Sequence, residues 1–434
     1  MSRFAPAAVA LVVALVYLAT AAQWHTPDAA AYADDVLDGQ LVHAKHLLHN
    51  AYGLAAVRLA QALGYEGAII EPLQWLNVGG ASIGSGLLCW LVARRSGFLA
   101  GSLAGLGLAA TYGWWSLAGT YEVHIWPAVV VLMALAVATE GEASPARGVV
   151  VGLLHGAAIL LHQVAALAGP GLALALIGGW GGRRFRALVA YVAVAAALLG
   201  AGYGGAARYQ SERLGHPVGV EDLLLADVTA GAPSSDRSIG SEVALGWSTT
   251  AAARVQRTCL RQRPHPRRVP LPTLGWAYAA LGLGLLVRGQ RVVRVARREA
   301  VAVAAWCWTY VPLVAWKEPL NFEYYLVPTV GLVLLLGLAS GPGVLGRLMA
   351  LLLAGSTALV AVNNLDRDIL PASRTPDDGH HVCADGATSV GRALNAEGLL
   401  LAPPPETQLG DAPPATGRHG GPRRGVRGRL DQAP

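Results

Sequence analysis

The chain has 434 residues, 54% of them hydrophobic and only 14% charged. Soluble domains carry about 25% charged residues, so the composition excludes an ordinary water-soluble fold and specifies a polytopic membrane protein. The formal net charge of +6 does not indicate a nucleic-acid partner. The arginines flank apolar segments or fall in the C-terminal tail, where they act as topology determinants or solvated charge. Cys89, Cys259, Cys307 and Cys383 show no C-x-x-C spacing, so neither a zinc ribbon nor a disulfide scaffold is indicated.

A membrane-spanning helix needs about 20 mostly apolar residues. By that measure, spans are predicted near 4–22, 73–93, 97–114, 122–139, 148–163, 166–180, 187–207, 271–287, 299–315, 322–340 and 345–362. They make an all-α, polytopic transmembrane bundle of about 11 spans. The first segment follows Arg3 and ends in Ala-Thr-Ala-Ala, as a cleaved signal peptide would. Its apolar run over 4–22 exceeds the ~7–15 residues usual for such peptides, so an uncleaved helix is expected.

Residues 23–72 then form a large first outer loop with two predicted interfacial helices, about 34–47 and 49–64. The second is apolar but interrupted by Arg58 and Gln61, which fits a helix lying at the outer surface rather than crossing. With a cytoplasmic N-terminus, the short inside loops hold Arg94, Arg95, Arg147, Arg183, Arg184, Arg186 and Arg347. The inside loop 288–298 adds Arg288, Arg291, Arg294, Arg297 and Arg298. The short outer loops hold almost no basic residue except Lys317. That asymmetry is the positive-inside pattern of a multi-pass protein of the cytoplasmic (inner) membrane.

The segment 208–270 is a second large outer loop, basic between Arg254 and Arg268; long loops translocate largely regardless of charge. The membrane domain therefore covers 1–363. The Gly/Pro/Arg-rich tail 364–434 cannot bury enough apolar surface to fold and is expected to be mostly disordered.

In this topology the notable polar residues gather on the outer side. The first loop supplies Asp28, Asp34, Asp35 and Asp38 beside His43, His46 and His49. Glu122 stands in GTYEVHIWP at the start of one span and His162 in LLHQV at the end of another. Lys317, Glu318, Asn321 and Glu323 stand in AWKEPLNFEYYLVP. Ionisable residues at membrane depth are costly and usually face a cavity or a partner, so their convergence on one leaflet points to a site there.

These patches resemble the GT-C superfamily of membrane glycosyltransferases, nearest its protein O-mannosyltransferase-like branch. Asp28 matches the acid of the first outer loop, and His46 the histidine that opens an interfacial helix. Glu122 in Tyr-Glu-Val-His resembles that branch's Glu-Val-Tyr element, and Trp316 to Pro328 its late outer loop. The architecture matches over roughly 1–362, the motifs only in these patches. Ala29 follows Asp28 where a second acid is usual, and Leu47-Leu48 replace two prolines.

The resemblance implies a cell-envelope hexosyl- or mannosyltransferase-like enzyme. It would take a polyprenyl-phosphate-linked sugar donor and a lipid, glycan or protein acceptor, with Asp28 and Glu122 catalytic. Asp34, Asp35, His46, His162, Lys317 and Glu318 are the candidate substrate-binding residues. No cofactor is required by this reading. The i, i+3 spacing of His43, His46 and His49 leaves a divalent metal open.

Other readings compete. Asp28 and Glu122 stand where an acid favours a helix start. Asp34, Asp35 and Asp38 fit a solvated helix face, and His162 fits a packing histidine. The same charges could line the path of a transporter or lipid flippase, although no internal repeat is seen, or decorate a non-catalytic scaffold.

Overall fold

Tyr17 shows how the apolar segments are sorted. On α1 (Ala5–Ala19) the row Ala5, Val9, Val13 and Tyr17 is buried against the bundle, whereas Leu11, Leu15 and Leu18 are exposed. Lipid accepts exposed leucines but offers no partner to a hydroxyl, so the polar group turns inward. The Tyr17 hydroxyl donates to the Ala109 carbonyl at 2.6 Å.

The computed structural model describes residues 4–22, 25–178, 182–225, 271–317 and 325–365, and every regular element among them is helical. After α1 come α2 (Pro27–Leu37), α3 (His49–Ala62), α4 (Ile70–Ser96), α5 (Phe98–Ala110), α6 (Tyr112–Ala118), α7 (Ile125–Thr139) and α8 (Pro145–Leu161). A 3₁₀ segment (Gln163–Ala168) leads into α9 (Gly169–Ile177), α10 (Gly182–Leu214) and α11 (Val220–Leu225). The last elements are α12 (Leu271–Val295), α13 (Arg297–Lys317), α14 (Leu326–Ala339) and α15 (Val344–Asn364).

Ile70–Ser96, Gly182–Leu214 and Val344–Val362 are long and apolar enough to cross a membrane. Shorter apolar helices are Ala5–Ala19, Phe98–Ala110, Ile125–Thr139, Pro145–Leu161, Gln163–Ile177 and Leu326–Ala339. Each lies on a segment expected to span. The basic stretch 254–268 and the tail beyond 365 lie outside the described residues.

Two local expectations are corrected. The span expected over 97–114 breaks into α5 and α6 at Thr111, whose backbone is extended (φ −66°, ψ 140°) and whose hydroxyl bonds back to the Leu108 carbonyl. Such back-bonding gives the chain an alternative to the helix ladder. The first helix of the loop is Pro27–Leu37 rather than one over 34–47. Thr26 caps it, Pro27 occupies its first turn, and Gly39 (φ 67°) follows its end, a start and stop pattern that overrides the amphipathic signal further on.

α4 is the central strut, packing against α1, α5 and α7, while α8 packs on α7 and α10. The α8–α10 seam is built on Gly148, Gly152 and Gly156, spaced by four along one face of α8. A Cβ on Gly148 would overlap the Ala187 carbonyl, and one on Gly152 would come within 2.6 Å of the Tyr191 carbonyl. His155 on the same helix is fully engaged, with Nε2 3.0 Å from the Ala165 carbonyl and Nδ1 2.8 Å from the Tyr191 hydroxyl. Gly148→Leu is expected to cost about 1–3 kcal/mol or more, because the obstructing atom is backbone. An unchanged thermal midpoint in detergent would contradict this close approach.

At the Ser96 end of α4 the arginine-bearing turns converge. Arg95 Nη2 lies 3.2 Å from the buried Glu299, Arg94 pairs with Glu140, and Arg298 Nη1 donates to the Gly141 carbonyl at 2.7 Å. The first loop and Glu122 lie at the other end of α4, where Gln74 and Asn77 act.

Candidate functional site in the first loop

The site begins with two carboxamides in an otherwise apolar helix. Gln74 and Asn77 are one turn apart on α4 and buried. Gln74 Nε2 donates to the carbonyls of Ala22 (2.7 Å) and Gly119 (2.8 Å). Asn77 Nδ2 donates to those of Thr120 (2.9 Å) and Glu122 (2.8 Å). These bonds fix the turn between α6 and α7 against the segment leaving α1. Neither amide was singled out from sequence; the signal was their i, i+3 spacing at the head of a span.

Glu122, 2% exposed, is thereby held beside the start of α2. Thr26 serves both elements: its Oγ1 accepts from Ala29 N at 3.0 Å and donates to the Glu122 carboxylate. Asp28 occupies the first turn of the same helix and is exposed. Asp34 and Asp35 lie half-buried towards the other end, where Asp35 accepts from Asn50 Nδ2 at 3.3 Å and ties α2 to α3. Burial, with Asp38 and Asp35 nearby, raises the Asp34 carboxyl above its usual range.

Between α2 and α3 the backbone over 38–48 is irregular, and its carbonyls are taken by distant groups. Tyr209 and Gln210, near the end of α10, donate to the Gly39 and Val42 carbonyls at 3.0 and 2.9 Å. Gln163 donates through its backbone N–H to the Lys45 carbonyl (3.0 Å) and through its side chain to that of Ala44 (3.1 Å). At 33 residues, α10 is about 50 Å long, enough to reach past a hydrocarbon core and brace the loop.

The clamped loop presents a histidine cluster. The rings of His43 and His46 stack at 4.1 Å, Tyr32 meets His46 and His49 edge-on at 4.9 and 5.1 Å, and His49 stacks on Tyr121 at 4.3 Å. His162 lies 5.6 Å from His46 and 4.7 Å from His124, ring to ring. His46 and His162, both expected at the site, are thus brought together; His49, His124, Tyr32 and Tyr121 join them. Within the described residues, neither ring nitrogen of buried His46 has a hydrogen-bond partner.

No group of three or more His, Cys, Asp or Glu side chains among the described residues is arranged to hold a metal ion. The stacked rings are packed face to face rather than converging on a point. Lys317 closes α13, and Glu318, Asn321 and Glu323 lie outside the described residues.

Burial disfavours the charged form of the two most enclosed imidazoles of the loop, His46 and His49. Burial first, then His43, His162, His49 and His124, hold the His46 imidazole far below its ordinary value; burial, then His124 and His43, do the same to His49. Burial lowers His25 to about 4. In the unfolded chain these groups protonate near 6.5, so below that pH the unfolded state binds more protons. Stability is full above about pH 6.5 and falls as the pH drops, by about 1.4 kcal/mol per pH unit per histidine. The thermal midpoint is expected to fall between about pH 6.5 and 5. His46→Gln should flatten that fall; an identical slope in the variant would refute the assignment.

No family model matches the chain, and no curated protein matches it in sequence. Solved structures match in fold. The structure of ArnT from Cupriavidus metallidurans bound to undecaprenyl phosphate aligns with a TM-score of 0.57 at 15% identity, covering 92% of this chain and 78% of that one. Its apo form aligns at 0.53, also at 15% identity, covering 90% and 77%. The chain shares the fold of these two ArnT structures. The archaeal oligosaccharyltransferase of Archaeoglobus fulgidus, tethered with an acceptor peptide, aligns at 0.48 and 13% identity over 87% of this chain and 56% of that one.

Proposed function

We propose that this protein is a multi-pass glycosyltransferase of about 11 spans with its site at the extracytoplasmic face. It would transfer a hexosyl group from a polyprenyl-phosphate donor to a hydroxyl of a lipid, glycan or protein. The observation that carries this reading is the Thr26–Glu122 hydrogen bond. It joins the helix start bearing Asp28 to a second, buried acid at one end of a GT-C bundle. The likeness to a protein solved with undecaprenyl phosphate supports a polyprenyl-phosphate donor.

In the proposed reaction the acceptor oxygen attacks the anomeric carbon. The new C–O bond forms as the bond to phosphate breaks, and the electron pair leaves with the polyprenyl phosphate. The hydroxyl proton passes to the Asp28 carboxylate, an exposed group that an acceptor can reach. Glu122, fixed by Thr26, positions acceptor or donor. His46, buried beneath the loop, is a supporting polar group rather than a direct contact of the sugar. Charge developing on the phosphate calls for fixed cations: Lys317, an arginine of 254–268, and Lys45, which acts electrostatically on His162.

The test is transfer by purified protein in proteoliposomes supplied with a panel of polyprenyl-phosphate sugars. Native protein is compared with the Asp28→Asn/Glu122→Gln double variant. Release of polyprenyl phosphate from one donor, lost in the double variant, is expected. Movement of the intact donor across the bilayer without cleavage would support the flippase reading. Folded protein that does neither would support the scaffold.

A further inference from the structure

The opposite end of the bundle carries a second site. A cavity of about 790 Å³ opens between the α4–α5 turn, the α14–α15 turn and the flank of α15. α4 runs from Asn77 at the first-loop site to Arg95 at this cavity. From Asn77 to Arg95 the helix rises about 27 Å, close to the thickness of a hydrocarbon core, so the two sites lie at opposite ends of the bundle.

The cavity wall and its rim differ in chemistry. Leu103, Leu351 and Ala354 line it together with Phe98 and Leu99; Phe98, Leu99 and Leu351 are 47%, 61% and 69% exposed. The rim carries Arg95 and Arg347. Glu299 and Glu140, the acids nearby, are already engaged by Arg94 and Arg95. Arg347 is exposed and forms no ion pair among the described residues. Arg288 and Arg291 reach around the α14–α15 turn and donate to the Pro342 carbonyl at 3.4 and 3.0 Å, adding positive charge behind the rim.

A cationic rim above an apolar, lipid-exposed wall matches one class of molecule. We infer that this cavity binds the head group and upper acyl chain of an anionic glycerophospholipid, with its phosphate at Arg347 and its chain along Leu103, Leu351 and Ala354. Basic pockets between membrane helices on the cytoplasmic side suit such head groups, and the arginine-bearing turns place this end there under the positive-inside rule. The lipid site is independent of the transfer reaction and would anchor the turns that Arg288, Arg291 and Arg95 hold together.

The test uses the full chain in neutral detergent, with lipid retention read by native mass spectrometry and stability by thermal unfolding. Phosphatidylglycerol is expected to remain bound and raise the midpoint, while phosphatidylcholine and inorganic phosphate do not. Arg347→Glu reverses one charge and should weaken phosphatidylglycerol binding by about tenfold or more. Ala354→Trp should block the cavity with Arg347 intact. Equal binding by native protein and both variants would overturn the inference. So would an equal response to inorganic phosphate, or a dimer that Arg347→Glu converts to monomer, which would give the face to a second copy of the chain.

Discussion

Asp28→Asn is expected to lower the rate of sugar transfer by about 10²–10⁴-fold, the usual contribution of a positioned general base, with little change in the donor's KM. Asn preserves the size of the side chain and its place in the first turn of α2. It removes the one property the reaction needs, a carboxylate that accepts a proton. The structural cost should be small. Asp28 is exposed, and an acid in a first helical turn contributes only about 0.3–1 kcal/mol through the helix dipole. The cap itself is supplied by Thr26, which the substitution leaves in place. Rate and stability therefore separate the two roles. A modest drop in thermal midpoint with unchanged kcat would leave Asp28 a helix-start residue and move the base to Asp34, Asp35 or Glu122.

The apolar segments and arginine-bearing turns were legible because each is a local signal. A run such as Ile125–Thr139 must be helical whatever surrounds it, since lipid offers its backbone no other partner. Arg94 and Arg95 stand near Glu140 and Glu299 because the C-terminal ends of α4 and α7 meet the first turn of α13 there. The irregular loop 38–48 was not legible. Its carbonyls are taken by Gln163 and Tyr209, as far as 170 positions away, and only the folded bundle brings those donors in. A helix predicted over 34–47 satisfied the local pattern but competed with the Thr26 cap and Gly39 and lost. The candidate site was half legible. The acids and His46 stood out as charges in an apolar chain, whereas Gln74 and Asn77, which set the height of Glu122, looked like ordinary polar interruptions. Their role depends on carbonyls at 119, 120 and 122 that a turn exposes.

Glu122→Gln is expected to reduce transfer by about 10–100-fold, less than loss of the base and by a different route. Gln keeps the volume and can still accept from the Thr26 hydroxyl, so the turn should stay in place. It removes the charge that makes that bond strong; hydrogen bonds to charged groups contribute about 1.5–3 kcal/mol, and about 1.4 kcal/mol is tenfold in rate. Thr26→Val deletes the same bond from the other side but also uncaps α2, at about 0.5–2 kcal/mol of stability. Thr26→Ser keeps both bonds and should restore rate and midpoint together. If Glu122 acts through its tie to Thr26, the double variant Thr26→Val/Glu122→Gln should be no slower than the worse single variant, because the two changes remove one interaction. Strictly multiplicative losses would mean that Glu122 works through another contact, and the link between the α2 start and the second acid would then be structural alone.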